Sequence, residues 1–174
     1  MISLENISSR KGDEILFTNL NGSFETGRIH GIWNEAGIVA TGLLRLLAGD
    51  IPLSSGVIRY NGERLDHADV VYYNRMDMPG LNVQNEAALY HYNNKLVYLF
   101  DDIFNSADMI STVCFCKAIF HLKKMGRTIL ITSTDYKALK ASTDFFHILS
   151  KGAFQAKLHL KQYDLLDDVF RHMH

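Results

Sequence analysis

Apolar and polar residues alternate from Ile2 to Ile7, the period of a strand with one buried face. A turn at Arg10 to Glu14 leads to a second strand, Ile15 to Phe24, interrupted near Asn21-Gly22. Thr26-Gly27 marks another turn, and Ile29 to Trp33 reads as a buried strand. Leu43 to Ala48 is a run of strong helix formers that ends at Gly49, a C-cap residue. Pro52 to Gly56 reads as a loop. Val57 to Tyr60 followed by Asn61-Gly62 predicts a strand with a hairpin turn. Val70 to Tyr73 is a short apolar strand.

Leu96 to Phe100 is an unbroken apolar run, as expected of a central parallel strand covered on both faces. Asp108 to Met125 predicts a helix with Val113, Cys116, Ile119 and Phe120 on one face, stopped by Gly126. Thr128 to Ser133 is a second central strand. Then come a short helix from Tyr136 to Thr143, a strand from Phe145 to Leu149 and a turn at Lys151-Gly152. Ala153 to Leu160 reads as a last strand, followed by a small amphipathic helix from Gln162 to His172. Asn74 to Asn94 carries the weakest pattern, with one short helix over Asn82 to Tyr92. Strands alternating with helices predict an α/β fold with a mostly parallel sheet. The early strands without helices predict an antiparallel β layer at the N-terminus.

Composition narrows the function classes. The 174 residues are 47% hydrophobic and 21% charged, with two prolines, so one domain spanning 1–174 is expected. A net charge of -1 gives no electrostatic case for nucleic acid or an anionic membrane. Met1 to Asn6 lacks the basic and apolar regions of a signal peptide, and no apolar run approaches the ~20 residues of a membrane span. A cytoplasmic protein without direct membrane insertion is the expectation. Cys114 and Cys116 lie two apart on a helix and point to different faces, so they form no bridge. The eight histidines are scattered; the terminal pair His172 and His174 has no third partner, so no metal site is expected there. Tyr90 to Asn94 is unusually aromatic for a loop and is a candidate contact surface.

The candidate chemistry sits between Trp33 and Leu43, where a strand hands over to a helix, the context of a phosphate-binding loop. Such a loop needs Gly-x-x-x-x-Gly-Lys-Ser/Thr, so that free N–H groups wrap the phosphates and a lysine neutralises them. Here the eight positions read Asn34, Glu35, Ala36, Gly37, Ile38, Val39, Ala40 and Thr41. The first glycine is Asn34, the second is the β-branched Val39, and the lysine is Ala40. Thr41 alone keeps the hydroxyl that would meet Mg²⁺, unless it simply N-caps a helix starting at Gly42.

The order of these signals resembles the nucleotide-binding domain of ATP-binding cassette (ABC) proteins. The landmarks are the helix from Leu43 to Gly49, the Pro52 to Gly56 loop and the hairpin from Ile58 to Glu63. Leu96 to Asp108 resembles the Walker B strand and the loop after it, Gly126 to Asp135 the switch strand, and Phe146 to Gly152 the closing strand and turn. The resemblance implies a P-loop NTPase-like three-layer core. It implies a degenerate loop at Asn34, Gly37, Ala40, Thr41 and Gly42, Mg²⁺ positions at Thr41 and Asp101, and Asp102 at the catalytic glutamate's place.

The departures fall on the chemistry. Lys11 stands where the family stacks an aromatic on adenine, Arg75 where it has a glutamine, and Thr134 where it has the switch histidine. The signature sequence is absent, and the helical subdomain shrinks to about 74–94. Loss of the lysine, the loop glycines and the switch residue removes charge-stabilising groups, each worth on the order of 10²-fold in rate. The sequence therefore implies a non-hydrolytic subunit, a structural or regulatory partner in a transporter-type complex, with ATP and Mg²⁺ as the cofactors still open to it. Its partner would be an ABC ATPase, a membrane transporter subunit or a second copy of the chain. The alternative is a minimal ATPase using Thr41 and Asp101 with Mg²⁺, completed by a partner.

Overall fold

The computed structural model describes residues 1–35, 37–74, 95–106 and 109–164. β1 (Ile2–Lys11) and β2 (Glu14–Phe24) form a hairpin. β3 (Ile29–Trp33) leads into α1 (Ile38–Ala48), then β4 (Leu53–Tyr60), β5 (Glu63–Arg64) and β6 (Val70–Asn74). β7 (Val97–Asp101), α2 (Met109–Lys124), β8 (Thr128–Ser133), α3 (Tyr136–Ser142), β9 (Phe145–Ser150) and β10 (Ala153–His159) follow. The strands divide into an antiparallel sheet of order β2-β1-β4-β5 and a six-stranded sheet of order β10-β9-β3-β8-β7-β6. In the second sheet every pairing is parallel except β9 with β10. The expected α/β class, mostly parallel sheet and N-terminal antiparallel layer are what the fold shows.

Strand periodicity sorts the core into two clusters. Leu99, Leu130 and Ile32 point to one face of the central sheet and meet α1 and the apolar face of the antiparallel sheet. Tyr98, Phe100, Ile129 and Ile131 point to the other face and meet α2 and α3. The layers are therefore antiparallel sheet, α1, central sheet, and the α2–α3 pair. α1 buries Leu43, Leu44, Leu46 and Leu47 and ends at Gly49 in a left-handed cap.

Four local expectations change. The interruption near Asn21 is a bulge, with an extra residue of β1 between the pairs Leu4–Gly22 and Ile7–Leu20. Pro52 to Gly56 is mostly strand, because Leu53 pairs with Ser9 and Ser55 with Ser8. α2 buries Phe115, Ala118, Ile119 and Leu122 instead of the face with Val113 and Phe120, which are 49% and 44% exposed. Both sets have helical spacing; the sheet's Phe100, edge-on to Phe115 at 4.9 Å between ring centroids, selects between them. α1 begins at Ile38, so Thr41 is not its N-cap. The expected helix over Asn82 to Tyr92, all but the first three residues of the expected Gln162 to His172 helix, the aromatic loop Tyr90 to Asn94, Arg75, and His172 with His174 lie outside the described residues.

Between β3 and β9 lies a buried histidine pair, His30 Nδ1 to His147 Nε2 at 3.1 Å. His30 Nε2 is 2.9 Å from the Glu25 carbonyl, which only accepts. His30 therefore carries its proton on Nε2, and His147 Nε2 donates to His30 Nδ1. Phe24, Phe145 and Phe154 surround both rings. Burial holds both imidazoles neutral, lowering His30 to about 4 and His147 well below its ordinary value.

Candidate functional site

The candidate residues meet at the C-terminal ends of β3, β7 and β8, where the chain leaves β3 between neighbours that continue in opposite directions across the sheet. That crevice is where open parallel sheets bind ligands. β3 ends at Trp33, whose indole donates to the Thr134 carbonyl at 3.0 Å and ties the loop to the end of β8. Asn34 follows, 6% exposed, its Nδ2 donating to the Leu149 carbonyl at 2.8 Å. Its buried Oδ1 accepts no hydrogen bond from the described residues. Glu35 is exposed to solvent.

Gly37 turns the chain into α1 with φ 74° and ψ -32°, a backbone state natural to glycine, and no side chain caps the helix among the described residues. The N–H groups of the first turn have no intrahelical partner and carry the positive end of the helix dipole. Thr41 N–H is the first to bond within the helix, to Gly37 at 3.0 Å. Ala40 is 1% exposed and packs in the core with Val39 against it, and Gly42 lies buried beside them. The lysine's position thus supplies no charge.

β7 carries Asp101 to this crevice, 6% exposed. Thr41 Oγ1 donates to Asp101 Oδ1 at 2.8 Å, Thr132 Oγ1 to the same oxygen at 2.5 Å, and Tyr72 Oη to Oδ2 at 2.8 Å. Register explains the meeting. Thr132 lies opposite Asp101, and Tyr72 lies opposite Leu99, one pleat from Asp101 on the same face. Burial first, then the hydrogen bond and charge of Asp101, push the Tyr72 phenol far above its usual range, so it stays a donor. Asp102 follows with φ 55°, its N–H shared between the carbonyl and Oγ1 of Thr132, both at 3.1 Å. A left-handed backbone is easier for aspartate than for most residues.

A cleft of about 410 Å³ opens above, lined by Gly37, Thr41, Gly42, Asp101, Asp102 and Thr132 among others. Lys11 and Arg45 also stand on its walls. Arg45 additionally pairs with Asp50 at 3.7 Å across exposed side chains. Of the residues anticipated from the sequence, Gly37, Thr41, Gly42, Asp101 and Asp102 line this cleft, whereas Asn34 turns to the Leu149 carbonyl and Ala40 into the core. Tyr72 and Thr132, through Asp101, and Arg45, on the cleft wall, join them although the sequence singled out none of the three. Only strand register, which pairs Thr132 with Asp101, could have signalled Thr132. No group of three or more metal-ligating side chains occurs among the described residues.

These residues do not fit a magnesium triphosphate. Among the described residues, the loop supplies a buried amide oxygen without a donor and no cation, and the carboxylate that would face the metal already accepts three hydroxyl protons.

No family model matches the sequence. A stretch of 72 residues is 35% identical to the cytochrome c biogenesis ATP-binding export protein CcmA of Mannheimia succiniciproducens, covering 41% of this chain and 34% of that protein. A stretch of 63 residues is 32% identical to the intermembrane phospholipid transport system ATP-binding protein MlaF of Haemophilus influenzae, covering 36% and 24%. The match thus spans about a third or less of these relatives' length. In fold, the chain is similar to cbiO1 of Clostridium perfringens, part of the ABC transporter complex cbiONQ, with a TM-score of 0.77 at 13% identity over 98% of this chain and 93% of that one. It is equally similar to a nucleotide-free ATP-binding cassette from an ABC transporter, with a TM-score of 0.78 at 12% identity over 97% and 95%. This chain therefore has the ATP-binding cassette fold, and part of its sequence is similar to ATP-binding proteins of export and transport systems.

Proposed function

We propose that this chain is a non-hydrolytic cassette subunit that acts as a structural or regulatory partner in a transporter-type complex. The observation that carries the reading is Asp101. Its carboxylate is satisfied by Thr41, Thr132 and Tyr72, in a loop whose lysine is a buried alanine. Phosphoryl transfer depends on positioning and charge neutralisation, and this site has lost the loop's share of both. Its partner would be a complete ABC ATPase, a membrane transporter subunit or a second copy of the chain. No helix among the described residues is long and apolar enough to cross a membrane, so a membrane role would run through such a partner. The test is phosphate release by the purified chain with ATP and Mg²⁺. The expected result is no turnover above buffer; turnover abolished by Asp102→Asn overturns the reading.

The cleft favours a second reading. Lys11 and Arg45 bring two cations to its walls, so a minimal ATPase completed by a partner would draw neutralising charge from them. Turnover that appears only with a partner cassette, and falls on Lys11→Ala, supports this alternative.

A further inference from the structure

A carboxylate as dry as Asp101 needs either a cation or a full set of donors. The donors come from three separate elements: Thr41 on α1, Thr132 on β8 and Tyr72 on β6. Thr41 and Thr132 line the cleft with Asp101, whereas Tyr72 does not. The carboxylate is therefore gripped from the cleft wall at Oδ1 and from beneath at Oδ2.

We infer that Tyr72 and Thr132 are positioning residues that keep Asp101 self-satisfied and so hold the cassette's divalent-cation position closed. The inference deepens the reading above and rests on it. A divalent cation binds through oxygen lone pairs, and a hydroxyl proton aimed at the same oxygen occupies that direction. Oδ1 receives two such protons, so a cation entering from the cleft must displace Thr132 or turn Thr41. Tyr72 withdraws negative charge from Oδ2 at the same time. A purely structural role predicts lower stability on removing either hydroxyl, with no change in cation affinity.

The experiment is Mn²⁺ binding to the full chain without nucleotide, read by electron paramagnetic resonance. Wild type, Tyr72→Phe and Thr132→Val are compared, each with and without Asp101→Asn, and thermal melting reports folding. The expected wild type leaves Mn²⁺ free at about 1 mM, and each variant binds on the order of tenfold more tightly, because a lone pair of Asp101 is freed and available ligand charge tunes cation affinity on that scale. The gain disappears with Asp101→Asn. Folded variants that gain nothing overturn the inference. So does tight binding by wild type that Asp101→Asn abolishes, a measurement independent of the other variants. Phosphate release from ATP on the same samples separates the two ideas. No gain together with no turnover overturns this inference alone, whereas turnover overturns the reading beneath it.

Discussion

Acidification is expected to loosen this protein through its buried histidine pair. His30 and His147 are 0% and 2% exposed, and their one mutual hydrogen bond has a single arrangement of protons. Protonating His30 on Nδ1 sets two donors face to face inside an aromatic cage. The surrounding charges do not rescue it. Burial outweighs the rest: the Glu25 carbonyl and Asp144 favour the cation, while Lys157 and Arg28 disfavour it. An unfolded histidine titrates near 6.5, whereas His30 folded titrates near 4. Between those values the unfolded chain binds more protons, so stability is complete above pH 6.5 and falls as pH drops towards 4. At 1.36 kcal/mol per pH unit the full window is worth about 3 kcal/mol, and the part between pH 7 and 5 about 2 kcal/mol. His147 adds a loss of the same sign, since it too is lowered. Against a typical stability of about 5–15 kcal/mol, that loss is large. Urea unfolding at pH 7 and 5, with constant slope in denaturant, measures it. A stability extrapolated to zero urea that changes by less than roughly 0.5 kcal/mol over that range refutes the expectation.

Two further outcomes follow from packing. Gly56 has φ 91°, and an added Cβ would collide with the Glu5 and Asn6 carbonyl oxygens of β1, so Gly56→Ala is expected to destabilise by about 3 kcal/mol in denaturant unfolding. Lys123 pairs with Asp144 at 2.5 Å in a mostly buried position, and Asp144 also accepts from the Ile29 N–H at 2.9 Å. Lys123→Met should therefore cost about 2 kcal/mol, with faster amide exchange at Ile29 as a second readout.

Much of the fold was legible because its signals are local. The unbroken run Leu96 to Phe100 and the strand Thr128 to Ser133 can only be buried on both faces, and they pair in the centre of the sheet. Asn61-Gly62 takes the left-handed turn its side chains allow, with φ 52° and 90°. The misread elements were those decided by neighbours. Leu53 to Gly56 looks like a loop until β1 offers it a ladder. α2 has apolar residues on several sides, and Phe100 chooses the one that is buried. The start of α1 depends on the backbone of Gly37, which no propensity scale registers.

The sequence by itself determined the element order, the alternation that produces two layers of sheet, and the absence of the lysine from the loop at Ala40. Those properties reside in residue identity and in periods of two and 3.6. The tertiary structure alone decided that Tyr72 and Thr132 converge on Asp101, that Lys11 and Arg45 share its cleft, and that His30 meets His147. These partners are separated by 29 to 117 positions in the chain. A hydrogen bond requires its two atoms within about 3 Å, and over such distances only strand register and layer packing can set that separation.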